Sequence, residues 1–577
     1  MNNPIDPSSW KVEKIVVVGP GIVGMPMAAM LAHAKIRIGT DQPAKVVVIQ
    51  RKSPTSGWKV DAINAGKSVI GGIEPDLDRI VAESVAEGLL SASHEYADAR
   101  DADVILFCVQ TDKKGFGPDY GPMFEALNGV AEALKEKPRD KVPLVVFEST
   151  LAPSSMATLI KDHFAKYGLI EGRDILLGNS PNRVMPGRLV ERVAGSDKIV
   201  AGLNPVTPRL IKKLYENIVT QGTLHEANSL TAEVIKTLEN AYRDVRIAYA
   251  AEVVRYCDDH DIDFYRLRDL VNKKLVQEDA ASCDPNAVPS GGLLVPTTGV
   301  GGHCLPKDGI LLWWRKLEKF GDNSDSLILE SRKINDESPA ELAKLAERTF
   351  GDLSDKSVAL LGAAYRFNSE DTRNSPTLYL ARLLLEKQCK VAIQDPYVKP
   401  TDQNLARFGL QAHFTRDLDK AVGGAEYLFF CTGHRLYLDK RDQILSLGKS
   451  LKGIMDGCNL YSRDDFRNKG FGYAGIGRGT KAATSDFVDF VYQGFRTVEC
   501  GVANEVKALA EFLNEQYAND DFNRIRFEDI QRIAGTCVTG CAIVDPGPIE
   551  AIPSYDGFVP RLVKCAFDAW QAAKQRQ

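Results

Sequence analysis

The chain lacks the features that mark secreted, membrane-spanning and nucleic-acid-binding proteins. Its 577 residues include 11 cysteines, which show neither the density nor the spacing of a disulfide framework. No window holds the ~18 uncharged apolar residues that would cross a bilayer, and the N-terminal stretch has no apolar signal segment. A basic excess is also missing, because 72 Lys and Arg oppose 77 Asp and Glu. The composition predicts a cytoplasmic protein without a membrane or nucleic-acid partner.

A metal-ligand set is missing as well. Cys537 and Cys541 are close in sequence, but no other pair of Cys or His completes a zinc site. We therefore predict no metal and interpret both cysteines as buried thiols. What the chain does have is a length sufficient for about four domains of roughly 150 residues each.

Alternating strand and helix patterns fill most of that length. A β-branched run from Lys14 to Gly19 leads through a glycine turn into an Ala- and Met-rich helix, and an apolar strand follows from Lys45 to Ile49. Such alternation predicts an open parallel sheet that binds ligands beyond the carboxyl ends of its strands. Further strands are predicted at 103–109, 143–147 and 174–177, and the loops after them carry Thr111, Glu148 and Thr150.

The glycine turn has the spacing of a dinucleotide-binding loop. Gly19 makes the tight turn, Gly21 lets the backbone approach a pyrophosphate, and Gly24 lets helix and strand pack closely. Ile22 and Val23 lie between the last two glycines, at the start of the helix where phosphates bind. We predict that these five residues bind NAD.

The end of the second strand departs from the NAD pattern. An acidic residue usually binds the adenosine ribose there, whereas this chain has Gln50, Arg51 and Lys52. Two cations at this place would suit a ribose 2′-phosphate and hence NADP. The alternative is a solvated loop in which Gln50 donates to the ribose of NAD.

A long helix and a second α/β pattern follow. The helical pattern from Ser229 to Asp258 places Lys236, Asn240 and Arg243 on one face. A linking helix is predicted to end near Pro339. The second α/β region has strands at 357–365, 390–397 and 427–432 with a helix at 378–387, and the tail beyond residue 479 has helices at 503–517 and 562–575.

The most unusual stretch is TGVGGHCLPKD, at residues 298–308. Successive glycines force a tight backbone whose N–H groups converge, and they leave Cys304 accessible rather than packed in a core. A thiolate in such a place is stabilised by those dipoles and by a nearby lysine. Cys108, Cys257 and Cys431 lie on apolar segments and are interpreted as structural.

Together, these motifs resemble those of the UDP-glucose/GDP-mannose dehydrogenase family, over roughly residues 12–480. The resemblance implies an α/β fold with two Rossmann-like, doubly wound parallel-sheet domains joined by a long central helical segment. It divides the chain into an NAD-binding domain (1–220), a central dimerisation segment with the cysteine loop (221–337), a nucleotide-sugar domain (338–480) and an extension (481–577). The motifs are GPGIVG, CVQT, EST, SPNRVMPGR, KTLENAYRDVRIAYAAE, GVGGHCLPKD, GAAYRFNSEDTRNSP and DPY.

The resemblance also implies roles for single residues. Cys304 is expected to be the nucleophile, Lys236 and Asn240 to stabilise oxyanions, and Asp308 with Thr150 to position or activate water. A structural alternative for Asp308 is the N-cap of the following helix. Cofactor contacts are expected from Thr111 and Glu148, and substrate contacts from Asn182, Arg183, Lys236, Asn240, Arg243, Gly301, Tyr365 and Arg366.

Several positions depart from the family pattern. Asn182 stands where a glutamate that handles protons is usual. Either Glu148 or Glu191 substitutes for it, a water relay suffices, or the second half-reaction is slow. Arg366 stands in place of a lysine, keeping the charge but not its geometry. Cys458 replaces an arginine, and Thr-Gly-His ending at His434 replaces Thr-Glu-Trp.

The expected function is NAD-dependent oxidation of the C6 alcohol of a UDP-sugar to the uronate, for surface polysaccharide synthesis. The PGR motif and the histidine before Cys304 favour UDP-N-acetylmannosamine or UDP-N-acetylglucosamine, with UDP-glucose as the alternative. A two-electron hydroxyacid-type dehydrogenase would not need Cys304. A catalytically decayed sugar-nucleotide-binding regulator is the alternative from another class. We expect a homodimer or higher homo-oligomer that pairs through the long central helix.

Overall fold

The computed structural model describes residues 6–71, 74–138, 141–183, 187–278, 292–321, 326–466, 469–517, 520–537 and 540–576. These residues form two compact units. The first comprises 1–239, 311–322 and 507–543, and the second comprises 240–310, 323–506 and 544–577.

The first unit is built on an eight-stranded sheet with the strand order β10-β9-β8-β7-β4-β1-β2-β3. All neighbouring strands are parallel except β8 and β9, and β5 and β6 form a separate antiparallel hairpin. The strands are β1 (Lys14–Val18), β2 (Lys45–Ile49), β3 (Leu90–Ser93), β4 (Val104–Phe107), β5 (Asp112–Lys114), β6 (Gly117–Asp119), β7 (Leu144–Phe147), β8 (Leu176–Asn179), β9 (Lys198–Gly202) and β10 (Leu224–Asn228).

The second unit contains a six-stranded, fully parallel sheet in the order β13-β12-β11-β14-β15-β16. Its strands are β11 (Ser357–Leu361), β12 (Lys390–Gln394), β13 (Phe414–Thr415), β14 (Tyr427–Phe430), β15 (Gly453–Asp456) and β16 (Gly472–Gly475). In each sheet the strand order reverses beside the first strand, between β1 and β4 and between β11 and β14. Ligands bind at such a switch point in open α/β sheets.

The helices cover both faces of each sheet, which is why central strands such as β4 and β7 are apolar throughout. No helix within the described ranges has both the length and the apolar composition needed to cross a membrane. The helices are α1 (Gly24–His33), α2 (Trp58–Asn64), α3 (Leu77–Ala86), α4 (Gly121–Lys135), α5 (Lys161–Ala165), α6 (Leu189–Gly195), α7 (Thr207–Tyr215), α8 (Ser229–His260), α9 (Phe264–Glu278), α10 (Leu305–Phe320), α11 (Leu327–Phe350), α12 (Pro376–Glu386), α13 (Gln403–Arg407), α14 (Leu418–Val422), α15 (Arg435–Asp439), α16 (Arg441–Leu447), α17 (Ser485–Asn514), α18 (Phe527–Ala534) and α19 (Arg561–Arg576). Single helical turns occur at Tyr96–Ala99, Met156–Ile160, Gln411–His413, Arg463–Phe466 and Glu515–Tyr517.

The predicted fold class of two doubly wound sheets and a long central helix is confirmed, with four local differences. The linking helix does not end near Pro339, because α11 continues through this buried proline to Phe350. The tail helix predicted at 503–517 begins earlier, at Ser485. The strand predicted at 174–177 forms at Leu176–Asn179. Several strands were not predicted, among them β3, β9, β10, β15 and β16.

Within the second unit, the central helix α8 is partly covered by the chain's own C-terminal extension. The Tyr242 hydroxyl donates to Glu499 at 2.9 Å, and that of Tyr249 donates to the Val491 carbonyl at 2.8 Å. The Glu252 carboxylate accepts the backbone N–H of Arg561 at 2.6 Å, at the start of α19. The extension therefore covers part of the surface of α8, and pairing of two chains through this helix stays a prediction.

Candidate active site

The glycine loop of the first unit meets each requirement predicted for it. Gly19 has a φ of +93°, which favours glycine. A Cβ on Gly24 would lie 2.1 Å from the Gly19 carbonyl oxygen and 3.0 Å from Cys108, so only glycine permits this approach of helix and strand. A Cβ on Gly21 would meet nothing within 4 Å. The space above Gly21 fits the approach of a pyrophosphate.

The start of α1 is also suited to an anion. Val23 is its N-cap and provides no side-chain hydrogen bond, and the first turn has no acidic residue. Ile22 is 42% exposed beside it. The Met25 N–H donates to the Gly21 carbonyl at 3.0 Å and Pro26 has no N–H, so a ligand can be met only by the N–H groups that precede Met25.

Lys59 on α2 is a cation at this loop that the sequence analysis missed. Its ammonium donates to the Pro20 carbonyl at 3.3 Å, and burial lowers the pKa of the lysine. A half-buried cation beside the phosphate-binding turn suits a pyrophosphate. The sequence signal was weak, because Lys59 lies well outside the glycine motif.

The side chains after β2, which were predicted to face the adenosine, already have partners within the protein. The Gln50 amide donates to the Ser56 hydroxyl at 3.0 Å. The Arg51 guanidinium forms a 2.6 Å ion pair with Glu125, and both side chains are more than half exposed. A carboxylate beside Arg51 disfavours a second phosphate there.

Thr111 and Thr150 are brought together beyond the ends of β4 and β7. The buried Thr111 hydroxyl donates to the Thr150 carbonyl at 2.7 Å, which ties the two loops at the carboxyl edge of the sheet. The structure thus unites two predicted site residues that are distant in sequence.

Glu148 differs from its predicted role. Its fully buried carboxylate forms a 2.7 Å ion pair with Lys198 and accepts a hydrogen bond from the Tyr215 hydroxyl. The side chain is committed to the interior of the unit, so the prediction that it contacts the cofactor or replaces the missing glutamate is not supported by its position. Glu191, the other candidate, lies on the surface with its side chain 68% exposed.

Asn182 and Arg183 follow β8, the neighbour of β7. The Asn182 backbone N–H donates to the Glu148 carbonyl at 3.3 Å. The Arg183 guanidinium is buried and lies 2.5 Å from Glu239, and it also donates to Thr536 and to the Ile533 carbonyl. Arg183 is therefore held by protein groups, which favours a structural role in shaping this loop over the predicted direct substrate contact.

The three polar residues of α8 lie where the helix is partly open. Lys236, Asn240 and Arg243 are half-buried, whereas most of their neighbours are fully buried. They lie on one face of the helix, as predicted. In the second unit, the Asn240 amide donates to Asp308 at 2.6 Å.

Asp308 is not the N-cap of the following helix. Helix α10 begins at Leu305, so Asp308 lies within its first turn. Its fully buried carboxylate accepts hydrogen bonds from Asn240 and, at 2.5 Å, from the Lys307 ammonium. This geometry fixes the Asn240 amide, a task that the sequence analysis did not assign to Asp308.

The cysteine loop is packed tightly against a neighbouring segment of the second unit. A Cβ on Gly301 would lie 2.5 Å from Tyr365, and one on Gly302, which has a φ of +89°, would lie 2.9 Å from the Tyr365 ring. The Asn374 amide donates to the Gly302 carbonyl at 2.9 Å. Among the ten cysteines of the described ranges, Cys304 is the exposed one. The glycines thus allow close packing while Cys304 points outward.

Arg373 is a second residue that the sequence analysis missed. Its hydrogen bond to Asp371 raises the pKa of the guanidinium, and Cys304 lies within its electrostatic reach. Cys304 likewise lies within reach of Tyr365, whose pKa is raised by burial first and then by Asp371. A cation at this place stabilises a thiolate. The residue lies in the quoted motif DTRNSP, but its role depends on the tertiary contact.

The loop after β11 carries Tyr365 and Arg366 at the switch point of the second sheet. His434 accepts the Asn368 backbone N–H at 2.8 Å and faces Asp395 at 3.0 Å. Both His434 and Asp395 are fully buried. Cys458 is half-buried, and desolvation with the neighbouring Asp456 raises the pKa of its thiol. The His434 side chain is therefore an internal support of the loop that carries Asn368.

The first unit has a dinucleotide-binding type of loop at the switch point of its sheet, and the second has an exposed cysteine in a glycine-rich loop. Both features are typical of NAD-dependent oxidoreductases. Comparison with known proteins identifies the family within this class. The chain belongs to the UDP-glucose/GDP-mannose dehydrogenase family, with its NAD binding domain matched at residues 13–219, its central domain at 230–337 and its UDP binding domain at 359–463.

Relatives and solved structures agree with this assignment. The UDP-N-acetyl-D-mannosamine dehydrogenase of Pyrococcus horikoshii is 32% identical over 476 residues, which are 81% of this chain and 99% of that protein. The enzyme of the same name from Methanococcus aeolicus is 28% identical over 82% of this chain and 98% of its own length. The crystal structure of NDP-N-acetyl-D-galactosaminuronic acid dehydrogenase from Methanosarcina mazei Go1 has a TM-score of 0.68 at 29% identity, over 81% of this chain and 96% of that one.

Proposed function

We propose that this enzyme oxidises the C6 primary alcohol of a UDP-N-acetylhexosamine, UDP-N-acetylmannosamine or UDP-N-acetylglucosamine, to the carboxylate, for surface polysaccharide synthesis. The observation that carries the proposal is Cys304, exposed on a glycine loop that is packed against Tyr365 and lies within reach of Arg373. A dehydrogenase that stops at the aldehyde or ketone needs no such thiol. The relatives named for acetylated amino sugars support this substrate class.

The cysteine solves the problem of an oxidation that removes four electrons. The first hydride leaves an aldehyde, and the Cys304 thiolate adds to its carbonyl carbon to give a thiohemiacetal. Loss of the second hydride gives a thioester, which water hydrolyses to the acid and the free thiol. NAD, when bound, accepts the hydrides. Cys304 thereby retains the aldehyde until the second oxidation.

Polar residues stabilise the charges that this chemistry creates. We assign Lys236 and Asn240 to the developing oxyanions, because an ammonium and an amide on a rigid helix can be held ready before the reaction. Asp308 is a positioning residue that holds the Asn240 amide. Thr150 is assigned to the hydrolytic water, since its loop is tied to Thr111.

NAD is preferred to NADP in this proposal. The pairing of Arg51 with Glu125 places a carboxylate where a ribose 2′-phosphate would need cations. The same assay with NADP in place of NAD tests this preference. Efficient turnover with NADP would contradict it.

The test is a panel of UDP-N-acetylmannosamine, UDP-N-acetylglucosamine and UDP-glucose, with NADH counted against sugar consumed. We expect two NADH per sugar with an acetylated substrate and no acid product from Cys304→Ala. Cys257→Ala, which changes a buried thiol, serves as the control. A plateau at one NADH would contradict the thioester mechanism. UDP binding without any turnover would favour the decayed regulator.

A further inference from the structure

Part of the C-terminal extension belongs to the first unit. The three matched family ranges end at residue 463, whereas the first unit includes residues 507–543. This segment comprises the end of α17, the turn Glu515–Tyr517 and α18. It contacts two of the loops at the carboxyl edge of the sheet.

The segment is anchored away from those loops. The Asn228 amide donates at 2.8 Å to the carbonyls of both Phe522 and Arg524, and the Asn523 amide donates to the Leu203 carbonyl at 3.2 Å. These bonds attach residues 522–524 to the end of β10 and to the residue after β9. The segment therefore has a fixed base that does not depend on its contacts with the edge loops.

One contact reaches the loop that follows β7 and carries Thr150. The Gln516 amide donates to the Ser154 hydroxyl at 3.0 Å. Ser154 has a φ of +72°, an unfavourable backbone conformation for a residue with a Cβ. The buried Glu233 carboxylate accepts the backbone N–H groups of Ser154 and Met156, both at 2.8 Å. Gln516 thus closes the outer side of a loop that Glu233 holds from within.

The second contact reaches the loop that follows β8 and carries Asn182. Arg183 donates to the Thr536 hydroxyl at 2.8 Å and to the Ile533 carbonyl at 3.0 Å, at the end of α18. Its ion-pair partner Glu239 is also buried, with the two side chains 4% and 3% exposed. A buried guanidinium is costly unless its donors are paired. The extension supplies two of those partners.

Because β7 and β8 are parallel neighbours, the two loops leave the same edge of the sheet. We infer that Gln516 and Thr536 are positioning residues, through which the extension clamps the Thr150 and Asn182 loops in the geometry that UDP-sugar oxidation requires. The inference rests on the proposed function for its effect on turnover. Among the described residues the glycine loop has no contact in this clamp, and Thr111 touches the clamped loop only at the Thr150 carbonyl, so NAD binding is expected to be much less sensitive to the clamp than UDP-sugar turnover.

The test compares Gln516→Ala with Thr536→Val, singly and combined. Thr536→Ser retains the hydroxyl and serves as the rescue. Thr497→Val is the matched control, because its hydroxyl donates to the Gln493 carbonyl within α17. Since hydrogen bonds to charged groups are the stronger ones, we expect the double variant to lose about tenfold in kcat/KM for the UDP-sugar. KM for NAD should change by less than about twofold, and Thr536→Ser and Thr497→Val should behave as wild type.

Amide hydrogen exchange provides a readout that does not need turnover. Peptides over 149–160 and 176–183 should exchange faster in the double variant, while the peptide over 14–31 should be unchanged. Unchanged exchange at both loops would overturn the clamp whatever the activity. Faster exchange with unaltered UDP-sugar kinetics would overturn the positioning role. A decrease of kcat/KM for NAD as large as that for the UDP-sugar would overturn it as well. A wild type without turnover would overturn the proposed function, and the exchange data would still decide the clamp.

Discussion

Two glycine-rich loops, one in each unit, use the same residue for opposite purposes. In the first unit, a Cβ on Gly21 would meet nothing within 4 Å. In the second, Cβ atoms on Gly301 and Gly302 would lie within 3 Å of Tyr365. One loop keeps space for a ligand, and the other removes space so that a protein segment can support a nucleophile.

The difference shows that a glycine motif does not by itself reveal what occupies the space that a side chain would otherwise take. Gly19-to-Gly24 leads into an uncapped helix and suits an external anion. The loop from 298 to 304 is bonded to Asn374 and packed on Tyr365. Substitutions at the two loops should therefore separate effects on stability from effects on ligand binding.

The largest effect is expected from Gly301→Ala. Its methyl group would lie 2.5 Å from Tyr365 and 2.9 Å from the Asn374 carbonyl oxygen, so the loop must shift. Overpacking costs about 1–3 kcal/mol, and a displacement near 1 Å can cost about 100-fold in rate. We expect both losses, measured by thermal unfolding and by kcat with the preferred UDP-sugar. Full activity in this variant would contradict the view that the glycines of the cysteine loop are needed for its close packing.

Gly21→Ala should have the opposite profile. The methyl group enters open space, so the melting temperature should remain within about 1 °C of wild type. A pyrophosphate approaching the backbone would meet that methyl group, and we expect KM for NAD to rise about tenfold with KM for the UDP-sugar unchanged. A large loss of stability would show that the space above Gly21 is filled in another way.

Arg373→Gln sharpens the account of the cysteine loop. Removing the cation should leave less of Cys304 as thiolate at neutral pH, because Arg373 lies within its electrostatic reach. We expect alkylation by iodoacetamide to slow about threefold, and Arg382→Gln, which changes an exposed arginine of α12, provides a control. The expected change is small because Asp371 already neutralises part of the charge. Equal rates in both variants would remove Arg373 from the site.

The smallest effects concern two buried carboxylates. Glu233 holds the loop after β7, and Asp395 holds the loop after β11. Burial raises the pKa of Glu233 to about 8. Burial also opposes ionisation of Asp395, but His434 and backbone N–H groups lower its pKa. Stability from Glu233 is thus present in acid and lost as pH rises through about 8, whereas that from Asp395 is lost as pH falls below its ordinary range.

Thermal unfolding of Glu233→Gln and Asp395→Asn between about pH 2.5 and pH 9 tests this contrast. The melting-temperature gap between wild type and Glu233→Gln should narrow by a few degrees towards high pH. The gap for Asp395→Asn should narrow towards low pH. If the melting temperatures of wild type and both variants changed in parallel with pH, the two carboxylates would not titrate in the manner described.

Local patterns were sufficient to predict much of the fold. Strands β1, β2, β4 and β7 are apolar runs that any reading of hydrophobicity finds, and α8 begins at Ser229 as predicted. The same patterns failed where tertiary packing overrides propensity. Buried Pro339 stays inside α11, and β3, with the polar sequence LSAS, forms only because β2 lies beside it.

Site residues divide in the same way. Gly19, Gly21, Gly24 and Cys304 were predicted because their motifs are local and their chemistry is specific. Lys59 and Arg373 were missed, since only long-range contacts place them at their loops. The ion pair of Glu148 was not predicted, because Lys198 and Tyr215, which bind its carboxylate, come from later elements of the fold.

By itself, the sequence determined the class of fold, the family and the residue types on which the proposed chemistry depends, because these are written in short-range periodicity and spacing. Only the tertiary structure decided which polar groups remain available. Glu148 and Arg183 are paired inside the protein, Asp308 holds Asn240, and the extension covers part of α8 and contacts two edge loops. Burial makes an unpaired charge costly, so the partner that the fold supplies decides between a structural role and a catalytic one.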